Sequence, residues 1–283
     1  MKVLIAMAHY FNAAPSLNYP AAAYGSLDYK ESETRTKYVL ESIESYKNAF
    51  KAIGMEFELR VYGMESASLV HIDVDLSRKV KSALHIPWAM VDQVYELADQ
   101  FDLIILTEDD ILVNPQTLRA LISIDRKLKP NEMIIPNRIE KFLGFNICVD
   151  MFAYPGWLKE KKIVSSLPIQ SARNTHSAFL LFSAEKFKFA YAEKKSELPS
   201  QHGGLGYLES ALANLLFEFI VYRALPTNTT LTIEHLDSWL ARGLSRGDFS
   251  ADEISDFWAE RKIHKLVSFR PKIFWRAIWY ISR

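Results

Sequence analysis

The chain has a single cysteine in 283 residues. Cys148 can form no internal disulfide, so a disulfide framework is excluded and nothing in the chain asks for an oxidising compartment. Net charge is missing too: 34 basic residues balance 34 acidic ones. That balance argues against a nucleic-acid binder that works by broad phosphate neutralisation. No stretch approaches the roughly 20 apolar residues that span a bilayer. Repeats, low-complexity tracts and tight Cys/His clusters are absent as well. The opening run Val3 to Ala8 is short, is broken by His9 and has one lysine before it, so it reads as a first strand and not as a leader. What remains, at 49% hydrophobic residues, is an ordinary folded protein, expected in a reduced cytosol.

The most informative stretch that is present is Phe101 to Val113, FDLIILTEDDILV. Leu103 to Leu106 read as a strand buried on both faces, which puts Glu108, Asp109 and Asp110 at its carboxyl end. In open α/β sheets ligands bind at that end. Three adjacent carboxylates repel one another in a half-buried site unless a cation neutralises them. A hard divalent ion, Mg²⁺ or Mn²⁺, suits oxygen ligands and is commonly shared with substrate phosphates. A second reading stays open: Asn114-Pro115 begins a helix, Pro115 to Leu128, whose N-terminal dipole favours nearby acids without any metal.

Periodicity places a strand at Lys2 to Ala8, then a helix at Thr34 to Ile53 with Arg35, Val39, Ile43, Tyr46, Phe50 and Ile53 on one face, closed by Gly54. A strand at Met55 to Val61 and a helix at Trp88 to Ala98 lead to the acidic strand. This alternation predicts a parallel sheet with right-handed crossovers. The second half predicts a strand at Glu132 to Ile135, a long irregular region from Asn137 to Thr175, and a strand at Ser177 to Ser183 leading into a short helix. A Gly-rich segment, His202 to Gly206, opens a helix at Tyr207 to Ala224, and a strand at Thr229 to Ile233 delivers Glu234 and His235.

In the helix from Tyr207, the spacing of Ser210, Asn214 and Glu218 predicts a solvent face, which sets Glu209 on the apolar side about 100° away. A carboxylate there suits a general base, or serves only as a first-turn helix acid. His235 is a candidate ligand or a hydrogen-bonded structural residue. His9 and Tyr10 border the expected phosphate pocket, and His176 and His202 are loop histidines near it. Arg35 points toward the loop after the first strand, to pair with a phosphate or with Asp28 or Glu31.

Taken in order, these elements resemble the GT-A glycosyltransferases. In that family an acidic DXD element ends a central strand, a later acid begins a helix below the acceptor site, and a histidine after the following strand often completes the metal site. Here the acidic element is EDD, and the helix motif Gly-Tyr-Leu-Glu-Ser carries one acid where many inverting members carry two. The resemblance covers about residues 1 to 240. It implies an α/β fold of GT-A type, with a Rossmann-like mixed sheet, helices on both faces and a single main domain. Residues 1–130 would form the nucleotide-binding half and 131–240 the acceptor half, with a tail at 241–283.

The resemblance further implies Mn²⁺ or Mg²⁺ on Asp110 and His235, and a nucleotide-sugar donor, with a UDP-sugar expected, held by His9, Tyr10, Asp28, Arg35, Glu108 and Asp109. Glu209 would act as the base of an inverting hexosyl transfer to a glycan or lipid-linked glycan, with Tyr154, Trp157, His176 and His202 at the acceptor. The alternatives are a nucleotidyltransferase or sugar-nucleotide hydrolase on the same architecture, or a non-catalytic, membrane-associated glycan-binding protein.

The segment 261–283 alternates Arg261, Lys262, Lys265, Arg270, Lys272, Arg276 and Arg283 with Phe269, Phe274, Trp275, Trp279 and Tyr280. It suits peripheral contact with the inner face of an anionic membrane, or a basic helix docking its aromatics on the domain.

Overall fold

Strand β1 (Lys2–Ala8) is buried from Val3 onward, and its alternating side chains feed two different cores. Val3, Ile5 and Met7 pack with Tyr46, Ala49 and Phe50 of helix α1 (Tyr29–Ile53), while Leu4, Ala6 and Ala8 pack with Ile86, Met90 and Val94 of helix α2 (Ile86–Leu97). A strand with two apolar faces is what a sheet covered on both sides requires. The computed structural model describes residues 1–11, 29–142, 145–148, 150, 157–172, 175, 177–194, 207–224 and 229–236.

On one edge β1 pairs in parallel with β2 (Glu56–Gly63), which is followed outward by the short β3 (Val74–Asp75). On the other edge it pairs in parallel with β4 (Leu103–Glu108), and β11 (Phe179–Ser183) closes that side antiparallel. The sheet order is therefore β11-β4-β1-β2-β3. The chain leaves β1 toward β2 and later returns to β1's other flank as β4, so the order reverses between β1 and β4. A crevice opens at the carboxyl ends of two strands that diverge in this way.

Two smaller mixed sheets lie beyond this one. In the first, β6 (Glu132–Ile134), β12 (Ile220–Ala224), β10 (Leu167–Ala172) and β9 (Trp157–Val164) run in that order. In the second, β5 (Ile111–Leu112), β13 (Thr232–His235), β7 (Asn137–Phe142) and β8 (Phe145–Cys148) do so. Helices α3 (Pro115–Asp125), α4 (Ala184–Ala192) and α5 (Tyr207–Asn214) complete the described elements. The molecule is thus mixed α/β. No helix among the described residues is long and apolar enough to cross a membrane.

Helix α1 ends where its glycine predicts. Gly54 has φ +68°, and Met55 N–H reaches Phe50 O at 3.2 Å while Gly54 N–H reaches Lys51 O at 3.1 Å. This pair of bonds is a Schellman cap. Asn114 caps α3 through Oδ1, which accepts from Thr117 N–H at 2.8 Å.

Two expectations are corrected. The region 137–175, expected to be irregular, contains β7, β8, β9 and β10. Its hairpin turns on Ser165 and Ser166, both at positive φ (51° and 64°), without the Asn or Gly that marks such turns in a sequence. Strand β9 lies at the sheet edge and carries lysines there, which hid its alternation. The expected helix Tyr207 to Ala224 stops at Asn214, and Ile220–Ala224 is a strand paired with β6 and β10. Ser210 and Asn214, read as its solvent face, are buried, whereas Glu218 is exposed.

Candidate functional site

The site is built on the last residue of β4 and the two that follow. Thr107 anchors the strand end from below, with its hydroxyl 2.7 Å from the buried Tyr46 hydroxyl. Beyond it the three acids divide their work. Asp109 turns toward the end of β1, where His9 Nδ1 lies 2.5 Å from its Oδ2. Because Leu69 N–H donates to His9 Nε2 at 3.0 Å, the ring proton sits on Nδ1 and is donated to Asp109. His9 is fully buried and both its nitrogens are used, so its service to a ligand runs through the carboxylate it fixes.

Arg35, in the second turn of α1, spans the two aspartates. Nη1 donates to Asp110 Oδ2 at 2.7 Å and Nη2 donates to Asp109 Oδ1. The sequence reading offered it a phosphate or a nearby acid on its own side; the structure pairs it with the acidic element itself.

Asp110 faces the second sheet. The antiparallel β5–β13 ladder sets His235 opposite Ile111, and Leu236 N–H donates to Asp110 O at 2.9 Å. This brings His235 Nε2 to 3.5 Å from Asp110 Oδ2, while its Nδ1 is 2.8 Å from Glu140 Oε1 on β7. Burial opposes a charge on His235, but the two carboxylates outweigh it and raise its pKa to about 10. Burial likewise opposes ionisation of Asp110, yet Arg35 and then His235 hold its carboxyl well below the usual range. Without a metal, His235 is therefore an imidazolium clamped between two acids.

Behind this layer lies a buried charge network. Asp150 Oδ1 accepts from Arg138 Nε at 3.0 Å and Nη2 at 2.9 Å, and Oδ2 accepts from Arg138 N–H at 2.7 Å and Arg223 Nη1 at 2.8 Å. Arg138 feels the charges of Glu108 and Glu140 as well. Glu140 and this network are not legible in the sequence, where β7 carries no strand signal. Alternation puts Arg138 and Glu140 on one face of β7, but charges at alternate positions read as a solvent face, and only sheet register and burial turn that face inward.

The arrangement fits a divalent cation on two grounds. Glu108, Asp110 and His235 each offer a ligand atom, and these atoms lie within 4.8 Å of one another. Two ligands of one ion at about 2.1 Å can be at most about 4.2 Å apart, so a slight closing of the group would suffice. Second, Asp110 Oδ1 is buried with no hydrogen-bond partner among the described residues, an expensive state that a cation would relieve. Two carboxylates and one imidazole could hold a divalent cation, and the set does not by itself name the ion. The EDD element thus turns its first and third acids toward His235 and its second toward His9.

Tyr10 follows β1 and packs against the α2-side core. Glu209 lies in the first turn of α5, which packs on α2; its side chain, and that of Trp157 at the start of β9, are outside the described residues. Ser210 and Asn214 are buried, so they form no solvent face against which Glu209 would stand on an apolar one. Asp28, Tyr154, His176, His202 and the segment 261–283 also lie outside the described residues. Neither protein-family models nor curated proteins give a match to this chain.

Proposed function

We propose that the chain is a metal-dependent glycosyltransferase of GT-A type, with the Rossmann-like arrangement that name implies, acting on a nucleoside-diphosphate sugar. The observation that carries the reading is the convergence of Glu108 and Asp110, at the end of the central strand β4, with His235 from a strand far along the chain, at the point where the sheet order reverses. Glu108, Asp110 and His235 would hold the ion, and a divalent cation there supplies charge neutralisation to a departing diphosphate.

The protein's own groups carry the rest. Arg35 offers a planar fork of donors suited to phosphate oxygens. Asp109, held by His9, keeps that fork aimed at the site. Glu209, in the first turn of α5, takes the proton from the acceptor hydroxyl, giving single displacement with inversion. Asp28 and Tyr10 border the nucleotide, for which uridine is the base we favour. Tyr154 and Trp157 stack on acceptor sugar rings, with His176 and His202 beside them. The acceptor is a glycan or lipid-linked glycan, and the basic aromatic segment 261–283 brings the enzyme to the inner face of the cytoplasmic membrane.

One observation favours a second reading. Arg35 and the protonated His235 already neutralise much of the acidic element, as in a protein that needs no metal and performs no transfer. Incubation with UDP-sugars and Mn²⁺, with and without glycan acceptors, separates the two. Transfer that is lost in Glu209→Gln, with donor binding retained, supports the proposal. Donor hydrolysis that ignores every acceptor points to a sugar-nucleotide hydrolase, and no donor turnover or binding at all to the silent protein.

A further inference from the structure

We infer that Arg35 couples the two ligands of this site: its guanidinium holds Asp110 until a diphosphate draws it away, so that metal binds together with the nucleotide and not ahead of it. This rests on the reading of Glu108, Asp110 and His235 as the metal-holding group.

The geometry makes Arg35 a competitor for that group. Its Nη1 is 2.7 Å from Asp110 Oδ2, on a carboxylate that belongs to the metal-holding trio. The other oxygen, Oδ1, is buried and without a hydrogen-bond partner among the described residues, so the carboxylate has capacity left for a second cation. A divalent ion on Asp110 and a guanidinium on the same group would repel each other in a partly desolvated site. The conflict ends if the guanidinium moves to a diphosphate, whose oxygens match its fork.

Arg35 is also better placed to move than the two histidines, the two aspartates and Glu140 around it. Its side chain is 22% exposed, against 0% for His9, 3% for Asp109, 5% for Asp110, 11% for His235 and 0% for Glu140. It reaches the site on a long flexible stem from α1, while that helix is anchored in the core by Val39, Tyr46 and Phe50. The aspartates stay in place without it. Asp109 remains bonded to His9, and Asp110 is held through its carbonyl by Leu236 N–H and by the β5–β13 ladder. Departure of Arg35 therefore leaves a formed acidic site.

The test is Mn²⁺ affinity of the full chain, with and without uridine diphosphate, in wild type and Arg35→Gln, after subtracting complexation of the two probes in buffer. In wild type, uridine diphosphate should tighten Mn²⁺ binding by about tenfold or more, and Mn²⁺ should tighten nucleotide binding by the same factor. Arg35→Gln should bind Mn²⁺ alone about tenfold tighter than wild type and lose most of the coupling. Unchanged or weaker Mn²⁺ binding in Arg35→Gln, with binding still abolished by Asp110→Asn, overturns the coupling and leaves the metal site standing. No Mn²⁺ binding by either chain under either condition overturns both.

Should Arg35→Gln fail to fold, Arg35→Lys decides. Lysine has a shorter reach and lacks the planar fork that spans both aspartates, so Mn²⁺ should bind this variant more tightly than wild type, and unchanged affinity overturns the inference.

Discussion

Asp109 gives both carboxylate oxygens to the protein, one to His9 and one to Arg35, whereas Asp110 keeps Oδ1 buried and without a partner among the described residues. Two adjacent residues of one type are separated in role by which way the turn after β4 points them. At the same scale His235 supplies a prediction. A metal ligand must be a neutral imidazole, so binding an ion there expels the proton that Asp110 and Glu140 hold on the ring up to about pH 10. Mn²⁺ affinity should therefore climb about tenfold per pH unit between roughly pH 6.5 and 8. The folded-state pKa is raised, so the proton's contribution to metal-free stability is fully present below the ordinary histidine value and fades as pH rises through about 10. Titration of Mn²⁺ at several pH values checks the slope; a flat profile in wild type would remove His235 from the ligand set.

At the scale of elements, the hairpin β9–β10 shows what a sequence reader misses. Ser165 and Ser166 both hold positive φ, a backbone state that costs a non-glycine residue about 1 kcal/mol. Ser165→Asn combined with Ser166→Gly should raise unfolding stability by about 1 kcal/mol, seen as a higher urea midpoint at unchanged m-value. Elements whose local signals and tertiary roles agree were legible: β1, α1 with its Gly54 cap, β4, and α3 with its Asn114 cap. Strands β7 to β10 were not, because an edge strand with lysines and a turn without Asn or Gly erase both period and punctuation. Helix α5 was overextended because Ile220–Ala224 is apolar enough to continue a helix, and only pairing with β6 and β10 decides otherwise.

Over the whole molecule, the site exists because distant segments close on the end of β4. His9 comes from β1, Arg35 from α1, and His235 and Glu140 from a second sheet joined through β5. The acids and His235 could be nominated from the sequence, since a strand ending in three carboxylates is a local pattern. Glu140, Arg138, Asp150 and Arg223 could not, because their pairing is a product of sheet register and burial, which no local spacing encodes.

Thermal unfolding of wild type and Asp110→Asn with Mn²⁺ and a panel of nucleoside diphosphates asks whether these segments assemble a metal-dependent diphosphate site. A ligand that binds only the folded chain raises the midpoint by mass action. Mn²⁺ with one nucleotide should raise the wild-type midpoint, either probe alone should do much less, and Asp110→Asn should lose the joint shift. An equal shift in Asp110→Asn, or none in folded wild type with any nucleotide, would contradict such a site.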